Sequence, residues 1–344
     1  MIIGPGGLKY SGIVGTGGIG AGKFFMLRGD HTLGREESRS GQFLDINDYC
    51  KQHIILYYIK ILLGRSFRVC PVGKIGDDDT GRRLFEEMAE AGFEMDLVKK
   101  EVGVSTLFSF CYSYPDGSGG NLTTDNSASA LVDGTYIGLA EEIMRKLGRK
   151  GMVMAAPEVP LAARARLLSL GKSHGLFCSA SFTSGEVAEV MNSDLPGNTD
   201  LLAINIDEAA AFAGMSAEND NVEDIVQKAV MKLRELNGDI MVTVTAGRRG
   251  SWCSAVSGTT YLKASETVAK STAGAGDAFF GGFLAGLALG LKPDEAQQLA
   301  TLVAGLSVCS PHTINKNTDR KSLKEFSASQ DAGLSDKILK FLGG

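Results

Sequence analysis

Short apolar runs alternate along this chain with longer stretches of helical period, and from about Gly151 onward the alternation is regular. Strand-like runs fall at Gly12–Gly15, Phe67–Val72, Leu107–Tyr112, Gly151–Ala155, Gly175–Ser179, Leu201–Ile204, Ile240–Val244 and Ser251–Ala255. Between them the spacing predicts helices over Tyr49–Leu63, Asp79–Ala91, Ile137–Leu147, Leu161–His174, Ile206–Ala213, Val222–Leu236, Ala275–Leu289 and Pro293–Val308. Strands that are apolar on both faces need helices on both sides, so the expected fold is α/β, with a mostly parallel central sheet. Segments 30–45 and 104–130 break the pattern. They are polar, rich in Gly, Ser and Thr, and alternating, as in FSFCYSYPDGSGGNLTT. A small antiparallel sheet projecting from the main layer is expected there. With no internal repeat and no linker, one domain over 1–344 with a lid fits better than two equal domains.

Charge and cysteine content narrow the function classes. Thirty-five Lys+Arg stand against 40 Asp+Glu, a formal net charge of −5 with no basic tail, so nothing supports a nucleic-acid partner. The longest apolar stretches, Ile54–Leu63 and Ala278–Leu291, fall short of the roughly 18–20 residues a membrane span needs, and no membrane partner is expected. MIIGPGGLKYSG has no apolar core of a signal peptide. The six cysteines have no CxxC pair and the four histidines are scattered, which argues against zinc and for reduced thiols in a cytoplasmic protein.

Forty-four glycines are the unusual part of the composition. GTGGIGAGK holds Gly15, Gly17 and Gly20 in the GxGxxG pattern of dinucleotide sites. That reading, an NAD-dependent oxidoreductase, needs a helix after the glycines and an acidic residue about 20 positions on, ending a second strand. FFMLRGDHTLGREESRSG supplies neither. A P-loop would need Ser or Thr after Gly22-Lys23, where Phe24 stands. These glycines are expected to let a ligand approach the end of the first strand.

The C-terminal run Ser271-Thr272-Ala273-Gly274-Ala275-Gly276-Asp277 is more specific, a glycine-rich turn opening an apolar helix. Backbone N–H groups there form an anion site reinforced by the helix dipole. Thr245-Ala246-Gly247-Arg248-Arg249-Gly250 gives a T-x-G-x-x-G turn at a strand end. Asn205 and Glu208 share one face where another strand enters a helix. Ligands of open α/β sheets bind at the carboxyl ends of strands, where all three motifs sit. A carboxylate/amide pair for hydrated Mg²⁺, a backbone anion hole and a lone Asp make up the parts of phosphoryl transfer.

On these residues the chain resembles the ribokinase/PfkB family of carbohydrate and nucleoside kinases. TAGAGDAFFGGF resembles the family's D-T-x-G-A-G-D-x-F signature, NIDE its N-x-x-E motif, TAGRRG its nucleotide turn, and Val72–Phe93 its G-x-D-x-x-G segment. The resemblance implies a ribokinase-like three-layer sandwich with a small β lid. It also implies ATP-dependent phosphorylation of a hydroxyl on a sugar or related small polyol. Asp277 is the implied general base, and Gly274, Ala275 and Gly276 with Asp277 the implied anion hole. Thr245, Gly247 and Gly250 would line the ATP site; Glu208 with Asn205 would orient Mg²⁺ through water.

The chain departs from the family pattern in three places. Ser271 stands where the family has an Asp linked to a monovalent-cation site, so potassium activation is not expected. No counterpart of the family's sugar-binding Asp occurs near Gly20–Gly22, and DINDYCKQH stands where G-G-x-x-x-N is expected. The acceptor half is therefore rebuilt, with Asp30, Arg35 and Glu37 as its candidates. Lys51 and His53 are expected on a helix surface, and His312 near the adenine edge or in a plain loop. A nucleoside acceptor remains an alternative, with Phe108, Phe110, Tyr112 and Tyr114 as stacking candidates. A non-catalytic ligand-binding relative is another. The projecting sheet offers edges for pairing with a second copy, a homodimer through the lid.

Overall fold

In a computed structural model, residues 7–116, 119–330 and 333–343 are described. The first six residues, which bear on the leader expectation, and 117–118 within the expected lid lie outside them. Thirteen strands are formed: β1 Gly12–Thr16, β2 Gly20–Leu27, β3 Gly41–Tyr49, β4 Arg68–Gly76, β5 Val98–Glu101, β6 Leu107–Ser113, β7 Gly119–Thr123, β8 Gly151–Ala155, β9 Phe177–Ala180, β10 Leu201–Asn205, β11 Met241–Thr245, β12 Ser251–Ala255 and β13 Gly258–Leu262.

Nine of them make one sheet in the order β13-β12-β11-β10-β9-β8-β1-β4-β5. All its pairings are parallel except β11–β12 and β12–β13. Adjacent residues of β1 enter different cores, as the two-residue period of a strand dictates. Ile13 joins the cluster formed by Lys51–Leu63, Ala275–Ala288 and Pro293–Ser307, while Val14 joins that formed by Leu161–Ser173, Ile206–Ala213 and Val222–Leu236. This is the expected three-layer α/β sandwich.

The helix Ala275–Ala288 is apolar all round and buried over nearly its whole length, as a helix sandwiched between sheet and neighbouring helices must be. The expected helix at 137–147 is two short helices, Gly134–Gly138 and Glu141–Leu147, and the helices Arg320–Ala328 and Asp336–Gly343 were not anticipated. Among the described residues no helix is long and apolar enough to cross a membrane.

The second sheet, β3-β2-β6-β7, forms the lid. It includes β2, so the N-terminal glycine run leads into a strand and not into the helix a dinucleotide site needs. Register sets the two lid faces. Gly22 pairs with Asp48 and Ser109, and Phe24 with Cys111; one residue out of phase, Lys23 pairs with Phe110 and Phe25 with Phe43 and Tyr112.

Candidate active site

The carboxyl ends of β10 and β11 and the N-terminus of Ala275–Ala288 converge on one cleft, lined by Lys51, Pro157, Asn205, Glu208, Thr245, Gly276 and Asp277 among others. Gly274 caps the helix with φ 78°, a left-handed conformation, and a methyl there would stand 2.7 Å from the Thr313 carbonyl oxygen. Glycine thus satisfies both the turn and its packing. The N–H of Ala275 is engaged by the Thr272 carbonyl at 3.2 Å. Gly276 and Asp277, in the first turn, have no acceptor four residues back and carry the anion-binding potential. The expected donor set is therefore reduced by one.

The Asp277 carboxylate is largely withdrawn from solvent, its side chain 17% exposed, which pushes its pKa up, and the Lys51 ammonium 3.7 Å away opposes that shift. Lys51 is held well above the ordinary lysine range, chiefly by Asp277 and then by Glu158 and Glu208. It opens the helix Lys51–Leu63, but its side chain turns into the cleft, correcting the surface expectation. His53 is also buried, packs edge-on against Tyr49 at 4.7 Å, and is pushed down to about 4 by burial.

Asn205 and Glu208 form a reciprocal capping box: the Glu208 N–H donates to Asn205 Oδ1 at 2.9 Å, and the Asn205 N–H donates to Glu208 Oε2 at 2.8 Å. Burial pushes Glu208 up to about 7, and its carboxylate is electrostatically coupled to Lys51 and Asp277. Among the described residues no cluster of three or more His, Cys, Asp or Glu could hold a metal by itself. One hard carboxylate facing a phosphate-binding turn fits Mg²⁺, which keeps several waters and is held largely by substrate phosphates. Thr245 ends β11, and the Ala246 N–H donates to the Gly250 carbonyl at 2.9 Å, closing a tight turn with Gly250 at φ 91°. The Ser271 hydroxyl accepts from the Ala273 N–H at 3.3 Å, where a family carboxylate would stand.

Two further carboxylates border the cleft that the sequence did not reveal. Glu158, in A-P-E-V-P, has φ 75°, the one positive φ at a non-glycine among the described residues. Such a conformation costs on the order of 1–3 kcal/mol and persists where the surroundings over-determine it. Its Oε2 accepts from the Lys51 N–H at 3.4 Å, and burial pushes it up to about 7. The flanking prolines were the available signal. Asp48, on β3, is 8% exposed; burial pushes it up to about 6 against hydrogen bonds from the Thr313 hydroxyl and the Cys111 thiol, the latter at 3.8 Å. The segment following helix Pro293–Ser307 ties this strand down: Asn47 N–H donates to His312 Nδ1 and Tyr49 N–H to Thr313 Oγ1, both at 3.0 Å. His312 is thus a lid anchor.

The acceptor candidates Asp30, Arg35 and Glu37 lie elsewhere, in the exposed β2–β3 connection. Five residues separate Leu27, beside that loop, from Gly22 at the cleft, about 17 Å at strand rise. Glu37 is engaged within the loop by Arg39 (2.6 Å) and the Gly34 N–H (2.9 Å), and these contacts, led by Arg39, hold it down to about 2. The structure does not bring the three to Asp277, because the hairpin carries its tip away from the sheet. The aromatic candidates fare similarly. Phe108, Phe110 and Tyr112 alternate with Ser109 and Cys111 and occupy the lid face turned from Asp48, and Tyr114 accepts from the Leu33 N–H.

A sequence model described as pfkB family carbohydrate kinase matches residues 61–320, well over half the chain. A ribokinase of Schizosaccharomyces pombe (strain 972 / ATCC 24843) is 23% identical over 242 residues, covering 70% of this chain and 74% of that protein. Among solved structures, ribokinase from Giardia lamblia superposes with TM-score 0.79 at 20% identity, covering 92% of this chain and 99% of its own. Ribokinase from Cryptococcus neoformans var. grubii serotype A in complex with ADP gives 0.76 at 21%, with the same coverage. Arabidopsis thaliana ribokinase complexed with ribose and ATP gives 0.70 at 19%, covering 97% and 99%. The structural likeness establishes the ribokinase fold, and the family match, over a cleft assembled from the same motifs, makes this chain a member of the pfkB family of carbohydrate kinases.

Proposed function

We propose that the protein transfers the γ-phosphoryl group of ATP to a hydroxyl of a sugar or related small polyol, with Asp277 as general base. The observation that carries this is the placement of Asp277: a half-buried carboxylate in the first turn of a glycine-entered helix, lining one cleft with Glu208 and Thr245. The neighbours solved with ADP and with ribose and ATP support the same reading.

Asp277 accepts the proton of the acceptor hydroxyl as that oxygen bonds to the γ-phosphorus and the bond to the ADP oxygen breaks. The proton then leaves to solvent. The N–H groups of Gly276 and Asp277 stabilise charge on the phosphoryl oxygens, where fixed dipoles in a dry site act most strongly. Lys51 keeps Asp277 ionised in its half-buried setting. Thr245, Gly247 and Gly250 shape the nucleotide turn, and Glu208 with Asn205 would hold Mg²⁺ through water. Bound there, Mg²⁺ supplies neutralisation of the phosphate charge. With Ser271 in place of a carboxylate, turnover needs no potassium. Glu158 lies beside Lys51 on the acceptor side.

The lid's outer face carries Phe25, Phe43, Phe110 and Leu122; Phe43 and Leu122 are more than 60% exposed, and the three rings cluster within 6.3 Å of one another. We take this face as the seat of a second copy in a homodimer.

Asp277→Asn tests the assignment by ADP release coupled to acceptor. Turnover is expected to fall at least ~100-fold, the scale of a positioned base, with ATP binding retained. Unchanged turnover would remove Asp277 as the base.

A further inference from the structure

An exposed sheet ordinarily turns its apolar face inward and its polar face to water. The lid departs from this near the cleft, where its inward face, which farther out carries Phe24 and Leu44, turns polar. Its outward face carries the exposed Phe43 and Leu122 just described. Its inward face carries Asp48 and Ser109, both more than nine-tenths buried, together with Cys111 and Asn121. Burying polar groups without compensation costs several kcal/mol, so such a face needs a polar occupant. Asp48 accepts from the Thr313 hydroxyl and the Cys111 thiol, and the two oxygens of a carboxylate have lone pairs for further donors.

Asp48 reaches this face because Gly22 is opposite it. The two pair directly across β2–β3, and a methyl on Gly22 would overlap the Asp48 carboxylate oxygen. Asp48 precedes by three residues Lys51, which lines the cleft, and Thr313, which accepts from the adjoining Tyr49 N–H, packs on Gly274 at the entrance of the helix that carries Asp277. Among the described residues, four carboxylates, Asp48, Glu158, Glu208 and Asp277, stand about that cleft with the one cation that lines it, Lys51, which is already paired with Asp277.

We propose that Asp48 reads the acceptor, its carboxylate taking hydrogen bonds from hydroxyls of a neutral polyol while the surplus negative charge excludes phosphorylated sugars and sugar acids. This rests on the kinase reading above and adds the substrate class to it. A carboxylate suits adjacent hydroxyls because both its oxygens accept, and charge-assisted hydrogen bonds are the strong ones. An anionic acceptor would meet a partly desolvated cleft lined by carboxylates whose one neighbouring ammonium, Lys51, is already paired.

The test is steady-state phosphorylation of D-ribose, D-fructose, myo-inositol, adenosine, ribose 5-phosphate and fructose 6-phosphate by the unaltered enzyme, Asp48→Asn and Gly22→Ala. Asparagine preserves the size of the side chain and its acceptance from Thr313; alanine at position 22 displaces the carboxylate without touching it. The neutral compounds are expected to be the substrates. Both variants should raise the acceptor KM at least ~10-fold, the worth of a hydrogen bond to a charged group, with the ATP KM within about twofold of the unaltered value. A merely structural Asp48 would move the ATP KM or the melting temperature and spare the acceptor KM. An unchanged acceptor KM in both variants, or a preference for a phosphorylated sugar, overturns this assignment and leaves the kinase reading standing. No phosphorylation of any compound overturns both.

Discussion

Lys51 is the residue on which the charge balance of the cleft turns. Asp277, Glu158 and Glu208 are each pushed up by burial and each pulled back by this one ammonium. A base works only when deprotonated, and burial raises Asp277 above the ordinary carboxylate range, so kcat/KM for the acceptor is expected to fall on the acidic side as Asp277 takes up its proton. Lys51→Met should move that acidic limb upward by about one unit or more, because an opposite charge at such range shifts a carboxylate by 1–3 units. A pH–rate profile with the limb unmoved would show that Lys51 does not set these protonation states. The sequence held a hint, since KQH stands at the start of a helix, but an ammonium there reads equally well as solvated. Which way it turns depends on Asp277, 226 positions further on.

Among the elements, the helix Ala275–Ala288 was the most legible, and the physical reason is local. A glycine-rich turn entering an apolar helix fixes its own backbone, and the donors of its first turn follow from helix geometry. Only the loss of the Ala275 N–H to Thr272 needed the structure. Gly274→Ala should cost ~1–2 kcal/mol for a left-handed φ alone. The clash with the Thr313 carbonyl should add to that, and because Thr313 also holds Tyr49 and Asp48, kcat should fall at least ~10-fold. Thermal melting and steady-state kinetics read the two effects, and a variant unchanged in both would show the turn to be tolerant. The strand β2 was the least legible element. GAGKFFML has glycines where a strand former is wanted, and these are present because Asp48 and Leu107 press against it.

For the whole molecule, the exposed aromatic face of the lid predicts association. Light scattering should give twice the chain mass of 36.3 kDa, and Phe43→Asp with Leu122→Asp should return the monomer by placing charges in an apolar contact. A monomeric unaltered protein would show that this face serves something else. Sequence pattern led to the expectation of a second sheet in segments 30–45 and 104–130; the sheet that forms includes β2, outside both, while residues 30–40 carry no strand, and which residues share its faces was not legible. A shift of one residue along a strand exchanges its faces, and register is set by partners far away in the chain.

The sequence by itself determined the three-layer α/β architecture, the family resemblance and the motifs that meet at the helix entrance, Asn205 with Glu208, Thr245 and Gly274 to Asp277. Each is written in contiguous residues: apolar periodicity, a glycine turn at a helix start, an Asn and a Glu three apart. The proposed acceptor half was legible only in the tertiary structure. Asp48, Lys51 and Asp277 come from three separate elements and Glu158 from a loop, and Asp30, Arg35 and Glu37, charged and suggestively placed, are carried away on a hairpin tip. Burial, register and the meeting of distant charges are properties of the folded chain, so no local pattern could have sorted the first group from the second.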